Sequence, residues 1–333
     1  MRDRGRITIG SPVKLLRRVG ILPPLLIVLI IFFSIQNPIF LSMLNVLNVI
    51  RQTTYLAILA MGEMLPLIVG GFDLSIGAVI AFASIISTTV MKGGMGWYEA
   101  PVFAPTTMVV IGCSVAILLS LGIGILNGLI IASFKVSPFI VTIATMTIVG
   151  GVTFIVSRGT NVFRLPDVFH VVLGSGTVGG FPIPILFMIG IAIGMYVLMN
   201  RSYVGRFFYA IGANVNSAIL AGVNTRKYII LAYAISAFFA GISGVLLTAR
   251  VGSGEMTLGA PLMLKAIAAA VLGGAAIGGG RGNVSGVLLG AFFITMLSNG
   301  MNLMHLGSFE QMIAVGFLLV IAVATDQYLL RPR

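Results

Sequence analysis

The chain has 333 residues, of which 58% are hydrophobic and only 8% charged, with a mean hydropathy of +1.12. Soluble domains carry about a quarter charged residues, so a water-soluble fold is excluded and an all-α polytopic membrane protein is expected. The net charge of +12 does not point to nucleic acid, because the basic residues lie between apolar runs instead of forming one patch.

The chain opens on a basic segment, residues 1–20, with Arg2, Arg4, Arg6, Lys14, Arg17 and Arg18. The apolar run 21–36 exits through NPIFLSM, which has no small-residue cleavage site. It reads as a retained first span and not as a removed signal peptide. A membrane-crossing helix needs about 17–25 mostly apolar residues. About ten spans are expected on that basis: 21–36, 53–70, 74–91, 106–133, 138–157, 182–199, 228–249, 261–280, 283–304 and 309–330. The 106–133 run is long, and Gly122, Gly124 and Gly128 predict a tilt or break within it. The 261–280 run ends in glycine, which leaves a re-entrant segment as an alternative to a full crossing. Residues 21–330 then form one transmembrane domain.

The positive-inside bias fits ten spans with both termini cytoplasmic. The N-terminal segment, Lys135, Arg201, Arg206, Arg226, Lys227, Arg281, Arg331 and Arg333 fall on one side. Arg51, Lys92, Arg158, Arg164 and Arg250 fall on the other. Helix contacts in lipid favour small residues, and Gly286–Gly290 and Gly241–Gly244 supply such faces.

Residues 200–227, NRSYVGRFFYAIGANVNSAILAGVNTRK, are a long polar break carrying four basic residues and no acid. Gly205, Gly212 and Gly222 punctuate a helix-like stretch within it. A tight turn would suffice to join two spans. A protruding element of this size suits a membrane protein driven by a cytoplasmic partner.

Three segments carry further information. In IVGGFDLSIGAVIAF (68–82), Gly70 and Gly71 break a helix, and Asp73 precedes Leu74-Ser75-Ile76-Gly77, where the next begins. Asp73 is either an N-cap meeting the positive helix end or a gate or ion site, since membrane-embedded acids are costly. The stretch AVLGGAAIGGGRGNVSGVLLGAF (270–292) echoes that layout, pairing Gly70-Gly71 with Gly273-Gly274 as a weak internal repeat. Glu63 and Lys265 are ionisable groups inside spans, which either pair or line a water-filled cavity. There is no GxxxxGK[ST] and no GxSxG, and His170 and His305 have no metal-ligand or triad partner nearby in sequence. Cys113 is the only cysteine. No enzyme mechanism, metal site or cofactor is expected.

Together these segments resemble the inner-membrane permeases of bacterial sugar ABC importers, the ribose/xylose/arabinose/galactoside type. The resemblance rests on Gly70-Gly71-Phe72-Asp73-Leu74-Ser75-Ile76-Gly77, then on Gly205, Arg206, Tyr209, Ala210, Ile211, Gly212 and Asn214, followed by Ala218, Gly222, Val223 and Asn224. It continues through Ala266 to Gly274, Gly280-Arg281-Gly282, and Leu297 to Leu303. It covers nearly the whole chain from about residue 45. Lys265 and Glu63 depart from the family pattern.

The resemblance implies a second permease subunit (an identical copy or a sister permease), a cytoplasmic ATP-binding subunit and a periplasmic sugar-binding protein. It implies alternating access in the bacterial inner membrane, with the 200–227 loop as coupling element through Gly205, Arg206, Tyr209, Gly212, Asn214, Ala218 and Gly222. Gly70, Gly71, Asp73 and Ser75 would form the gate or helix cap. Sugar hydroxyls need replacement hydrogen bonds on losing water. Glu63, Asn127, Thr142, Thr145, Lys265, Asn299 and Asn302 are the candidate pathway residues, although a helix-packing hydrogen bond is the simpler account of each of the amides and hydroxyls. The competing reading is an ion-coupled secondary transporter using Glu63 and Asp73, in which the 200–227 loop would be idle.

Overall fold

The computed structural model describes residues 22–93 and 103–329. The basic segment 1–20 and the arginines at 331 and 333 lie outside the described residues. Twelve helices of six residues or more are described. They are α1 Leu22–Gln36, α2 Met43–Ile68, α3 Ile76–Met91, α4 Pro105–Phe134, α5 Pro138–Ser157, α6 Ile183–Arg201, α7 Tyr203–Ala213, α8 Val215–Leu220, α9 Thr225–Val251, α10 Ala260–Leu272, α11 Val284–Leu303 and α12 Ser308–Leu329. A two-stranded ribbon, Thr177–Val178 with Phe181–Pro182, decorates the α5–α6 connection.

By length and composition, α4, α5, α6, α9 and α11 are each able to cross a membrane. The helices α2 and α9 form the centre. α2 is buried continuously from Thr53 to Ile68, and α9 packs along α4, α2 and α3. A helix apolar on all sides is read as interior or lipid-embedded. α4, α5 and α6 instead expose large apolar residues such as Leu118, Ile148 and Ile193. In a membrane protein this is the lipid-facing belt.

Several expected boundaries are corrected. The helix expected over 53–70 begins at Met43, so Arg51 lies inside α2. Ser42 starts the helix by accepting a hydrogen bond from the Asn45 N–H. α4 is unbroken over 30 residues. Its Gly124 and Gly128 lie against the α9 backbone at Tyr233–Ala234 and Ile230, so these glycines serve close packing and not a kink. The expected span 261–280 stops at Leu272. At about 1.5 Å per residue, its 13 residues cannot cross a hydrocarbon core of about 30 Å. α10 is therefore a half-helix.

The connection between α2 and α3 begins with a turn of the same kind as the one that ends α10. α2 ends in a left-handed turn at Gly70 (φ 88°), with Gly70 N–H donating to Leu67 O and Gly71 N–H to Pro66 O. α10 ends in the same way. Gly274 (φ 93°) donates to Val271 O, and Ala275 to Ala270 O. This is the glycine-terminated helix end that satisfies orphan carbonyls. It pairs Gly70 with Gly274, one residue away from the register expected from sequence. After each turn the chain is extended or turned and then re-enters a helix, at α3 and α11. The starts of α3 and α10 meet, because a Cβ at Gly259 would collide with the Gly77 carbonyl.

The connections sort to two ends. At one, Asn37 Nδ2 donates to Leu303 O at 3.0 Å, and Val162 and Gly254 pair as an antiparallel bridge. At the other, the turn after α2, the α7–α8 segment and the loop 273–283 come together.

Candidate functional site

The first candidate site is that second end. α7 and α8 form the body of the 200–227 segment. Ser202 caps α7 by accepting from Val204 and Gly205 N–H. Asn214 caps α8 by accepting from Ser217 N–H at 2.9 Å, and Asn224 caps α9 by accepting from Lys227 N–H at 3.1 Å. Side-chain oxygens of this type satisfy helix-start N–H groups. Gly222, with φ 79°, closes α8 while Val223 N–H returns to Ala218 O.

The buried face of α7 carries Gly205, Phe208 and Ile211. Gly205 lies on the carbonyls of Leu198 and Met199, where any side chain would force α7 away from α6. Gly212 packs against the Ile68 carbonyl and the Gly280 N–H. Those two groups are themselves hydrogen-bonded at 2.8 Å. The Tyr209 hydroxyl donates to Gly282 O at 2.8 Å, and burial raises the phenol above its ordinary value. One short helix thus touches both the turn after α2 and the glycine loop before α11. The opposite face is open, with Arg201, Arg206, Arg226 and Lys227 exposed. Leu220 is 90% exposed beside Val215 and Ile219.

The second candidate site lies among α2, α3, α4, α5 and α9. After the Gly70 turn the chain doubles back, so that Asp73 N–H donates to Glu63 Oε1 at 3.1 Å. The Ser75 N–H and hydroxyl both donate to Asp73 Oδ1. Asp73 therefore closes a turn two residues ahead rather than capping α3 directly. The N-cap position of α3 is Ser75, whose side chain makes no capping bond. Asn127 Nδ2 donates to Ser75 Oγ at 3.0 Å, and Thr145 Oγ1 donates to Asn127 Oδ1 at 2.6 Å. A single polar chain thus joins four elements, and Glu63, Asp73 and Ser75 in it are fully buried.

Sequence reading proposed Glu63, Asp73, Ser75, Asn127 and Thr145, and the structure brings them together. It does not bring the others to them. Thr142 donates to Pro138 O within its own helix. Asn299 and Asn45 exchange two hydrogen bonds of 2.9 Å. Asn302 accepts from Gln311 Nε2 at 2.6 Å. Lys265 donates to Ser298 Oγ at 3.1 Å, while Glu63 accepts from Asp73, so the pairing of Glu63 with Lys265 does not occur. Sequence reading missed Tyr233, whose hydroxyl donates to Phe72 O at 3.3 Å, and the buried Ser236 one turn on. Their spacing of three residues within an apolar span was the available signal. Among the described residues no three His, Cys, Asp or Glu side chains converge.

Comparison with known proteins agrees with these features. The family described as branched-chain amino acid transport system / permease component matches residues 45–323. The ribose import permease protein RbsC of Haemophilus influenzae is 37% identical over 309 residues, covering 91% of both chains. The D-allose transport system permease protein AlsC of Escherichia coli is 31% identical over 303 residues, covering 91% of this chain and 89% of its own. The galactose/methyl galactoside import permease protein MglC of E. coli is 33% identical over 312 residues, covering 90% of this chain and 91% of its own. No solved structure matches. A family match over residues 45–323 and relatives at 31–37% identity over about nine-tenths of the chain lead to one assignment: this chain belongs to the branched-chain amino acid transport system / permease component family, alongside import permeases for sugars.

Proposed function

We propose that the chain is the membrane-spanning subunit of an ATP-driven importer that carries a monosaccharide or a closely related sugar into a bacterial cytoplasm. It works with a second permease subunit, a cytoplasmic ATPase and a periplasmic binding protein, and has no catalytic site of its own. Ten helical segments lie in the inner membrane with both termini cytoplasmic. Two of them, the re-entrant start of α3 and the half-helix α10, stop short of a full crossing.

The observation that carries this reading is the contact of α7 with both membrane turns at once. A force applied to α7 reaches α2 through Ile68 and α11 through Gly280–Gly282. Packed elements with two discrete arrangements amplify small displacements. A partner that binds one arrangement of α7 more tightly shifts the pathway between its two openings. The exposed Leu220, with Arg206, Arg226 and Lys227 exposed in the same 200–227 segment, gives that segment the character of a docking surface that combines an apolar anchor with basic side chains.

The test is co-purification. The full chain, tagged and gently extracted, is compared with a variant carrying Leu220→Glu and Arg206→Glu, both at exposed positions. Wild type is expected to retain an ATPase that the variant loses. If neither retains one after cross-linking, the ion-coupled reading takes its place, and Glu63→Gln would then abolish uptake in membrane vesicles.

A further inference from the structure

The polar chain contains three atoms that its hydrogen bonds leave over. Glu63 Oε2, Asp73 Oδ2 and Ser236 Oγ are buried and have no hydrogen-bond partner. All three residues are fully buried. They come from different elements: Glu63 from α2, Asp73 from the re-entrant 69–75 segment and Ser236 from α9.

They also converge. Asp73 and Glu63 share a backbone hydrogen bond, and the Ser236 hydroxyl faces the Asp73 carboxyl without reaching hydrogen-bond geometry. The backbone of Ser236 lies against Gly62, next to Glu63. Tyr233, one turn before Ser236, closes the same side through Phe72. Among the titratable groups, Asp73 acts on Glu63, and both acids act on Tyr233. Lys265 is engaged elsewhere, with Ser298.

Two negative charges side by side in a dry interior are not sustainable without a counter-charge. Asp73 has its own compensation, in two donors from Ser75 and the N-terminal end of α3. Glu63 has a single backbone donor. One positive charge placed among the three free oxygens would neutralise the surplus and satisfy all three orphan atoms. Carboxylate and hydroxyl oxygens are the ligands that hard cations take, and unwound backbone beside a half-helix is where such ions are held in membrane proteins.

We infer that Glu63, Asp73 and Ser236 form a buried binding site for one hard monovalent cation, which pins the re-entrant segment to α2 and α9. Its occupant is a sodium ion. The site goes beyond the proposed transport function and does not depend on it, because a resident cation steadies the fold whether or not it moves.

The test is thermal unfolding of the purified full chain in lipid nanodiscs at constant ionic strength. Sodium is exchanged for choline at neutral and at acidic pH, in wild type, Glu63→Gln and Ser236→Ala. If the occupant is sodium, wild type melts about 2–4 °C higher in sodium than in choline, and both variants lose the difference. A wild type that ignores sodium but gains on acidification, with Glu63→Gln losing that gain, would show simple protonation of Glu63 and overturn the site. Ser236→Ala, which removes one small hydroxyl, keeps the test open if Glu63→Gln does not fold. Wild type and variants responding alike to both sodium and pH would overturn the site.

Discussion

Replacing Gly212 by alanine is the sharpest perturbation of the proposed coupling. The added methyl would collide with the Ile68 carbonyl and the Gly280 N–H, both backbone groups that cannot rotate aside. The junction must open, and the 2.8 Å bond between those two groups is lost or stretched. Overpacking of this kind costs about 1–3 kcal/mol, and the lost hydrogen bond about 0.5–1.5 kcal/mol more. If the same contact transmits the stroke, removing a coupling of about 1–3 kcal/mol corresponds to about 5–150-fold. The assay is uptake and substrate-stimulated ATP hydrolysis by the full complex in proteoliposomes. Uptake is expected to fall at least about fivefold while the ATPase stays bound, because the exposed face of the α7–α8 segment is untouched. Gly122→Ala in α4 is the control, since nothing lies within 4 Å of its added methyl. Undiminished uptake and ATP hydrolysis in Gly212→Ala would refute transmission through this contact.

Three further outcomes are expected. Asn299→Ala strands the buried Asn45 Oδ1, while Asn45 Nδ2 keeps its bond to Phe40 O, and should cost about 1–3 kcal/mol; the double change with Asn45→Ala should recover part of that loss in a double-mutant cycle of unfolding. Gly222→Ala forces an alanine to φ 79°, costing about 1–2 kcal/mol, and hydrogen exchange should show α8 fraying while the membrane helices stay protected. Because burial raises the Tyr209 phenol, the folded chain holds this proton to higher pH than the unfolded chain does. Its contribution to stability is complete below about pH 10, where a free phenol titrates, and declines as pH rises beyond that. Tyr209→Phe should remove this alkaline decline and weaken the α7 contact at neutral pH by about 0.5–1.5 kcal/mol.

The helices were legible wherever apolar character runs uninterrupted between polar loops, as in 138–157, where the predicted and observed bounds coincide. They were misread where another signal competed. The start of α2 mixes polar and apolar residues in MLNVLNVIRQ, so hydropathy alone placed it ten residues late, although Ser42 is a helix-start residue in plain view. α10 was drawn too long because AAIGGG is as apolar as a helix. Only the left-handed Gly274 shows that the helix has ended. At the polar site, Asp73, Asn127 and Thr145 were each noticeable as polar residues within spans. Their union was not, since it joins positions 52 and 18 residues apart, which no local pattern encodes. Ser236 went unnoticed because a serine in an apolar helix ordinarily bonds its own backbone, and here it does not.

The joint between α7 and the two turns it touches is made almost wholly of main chain: the carbonyls of Ile68 and Gly282, the N–H of Gly280 and the bare Cα of Gly212. Apart from the Tyr209 hydroxyl on Gly282 O, such a joint offers few side chains to exchange, and a Cβ added at Gly212 disrupts it. Under the proposed coupling, residues lining the route through the membrane would be free to be rewritten for a different cargo while the linkage to a motor kept its dimensions. A change at the linkage itself demands simultaneous adjustment of three separate stretches of chain. A single drive mechanism can in this way be handed from one cargo to another, with novelty confined to the conduit and the transmission inherited intact.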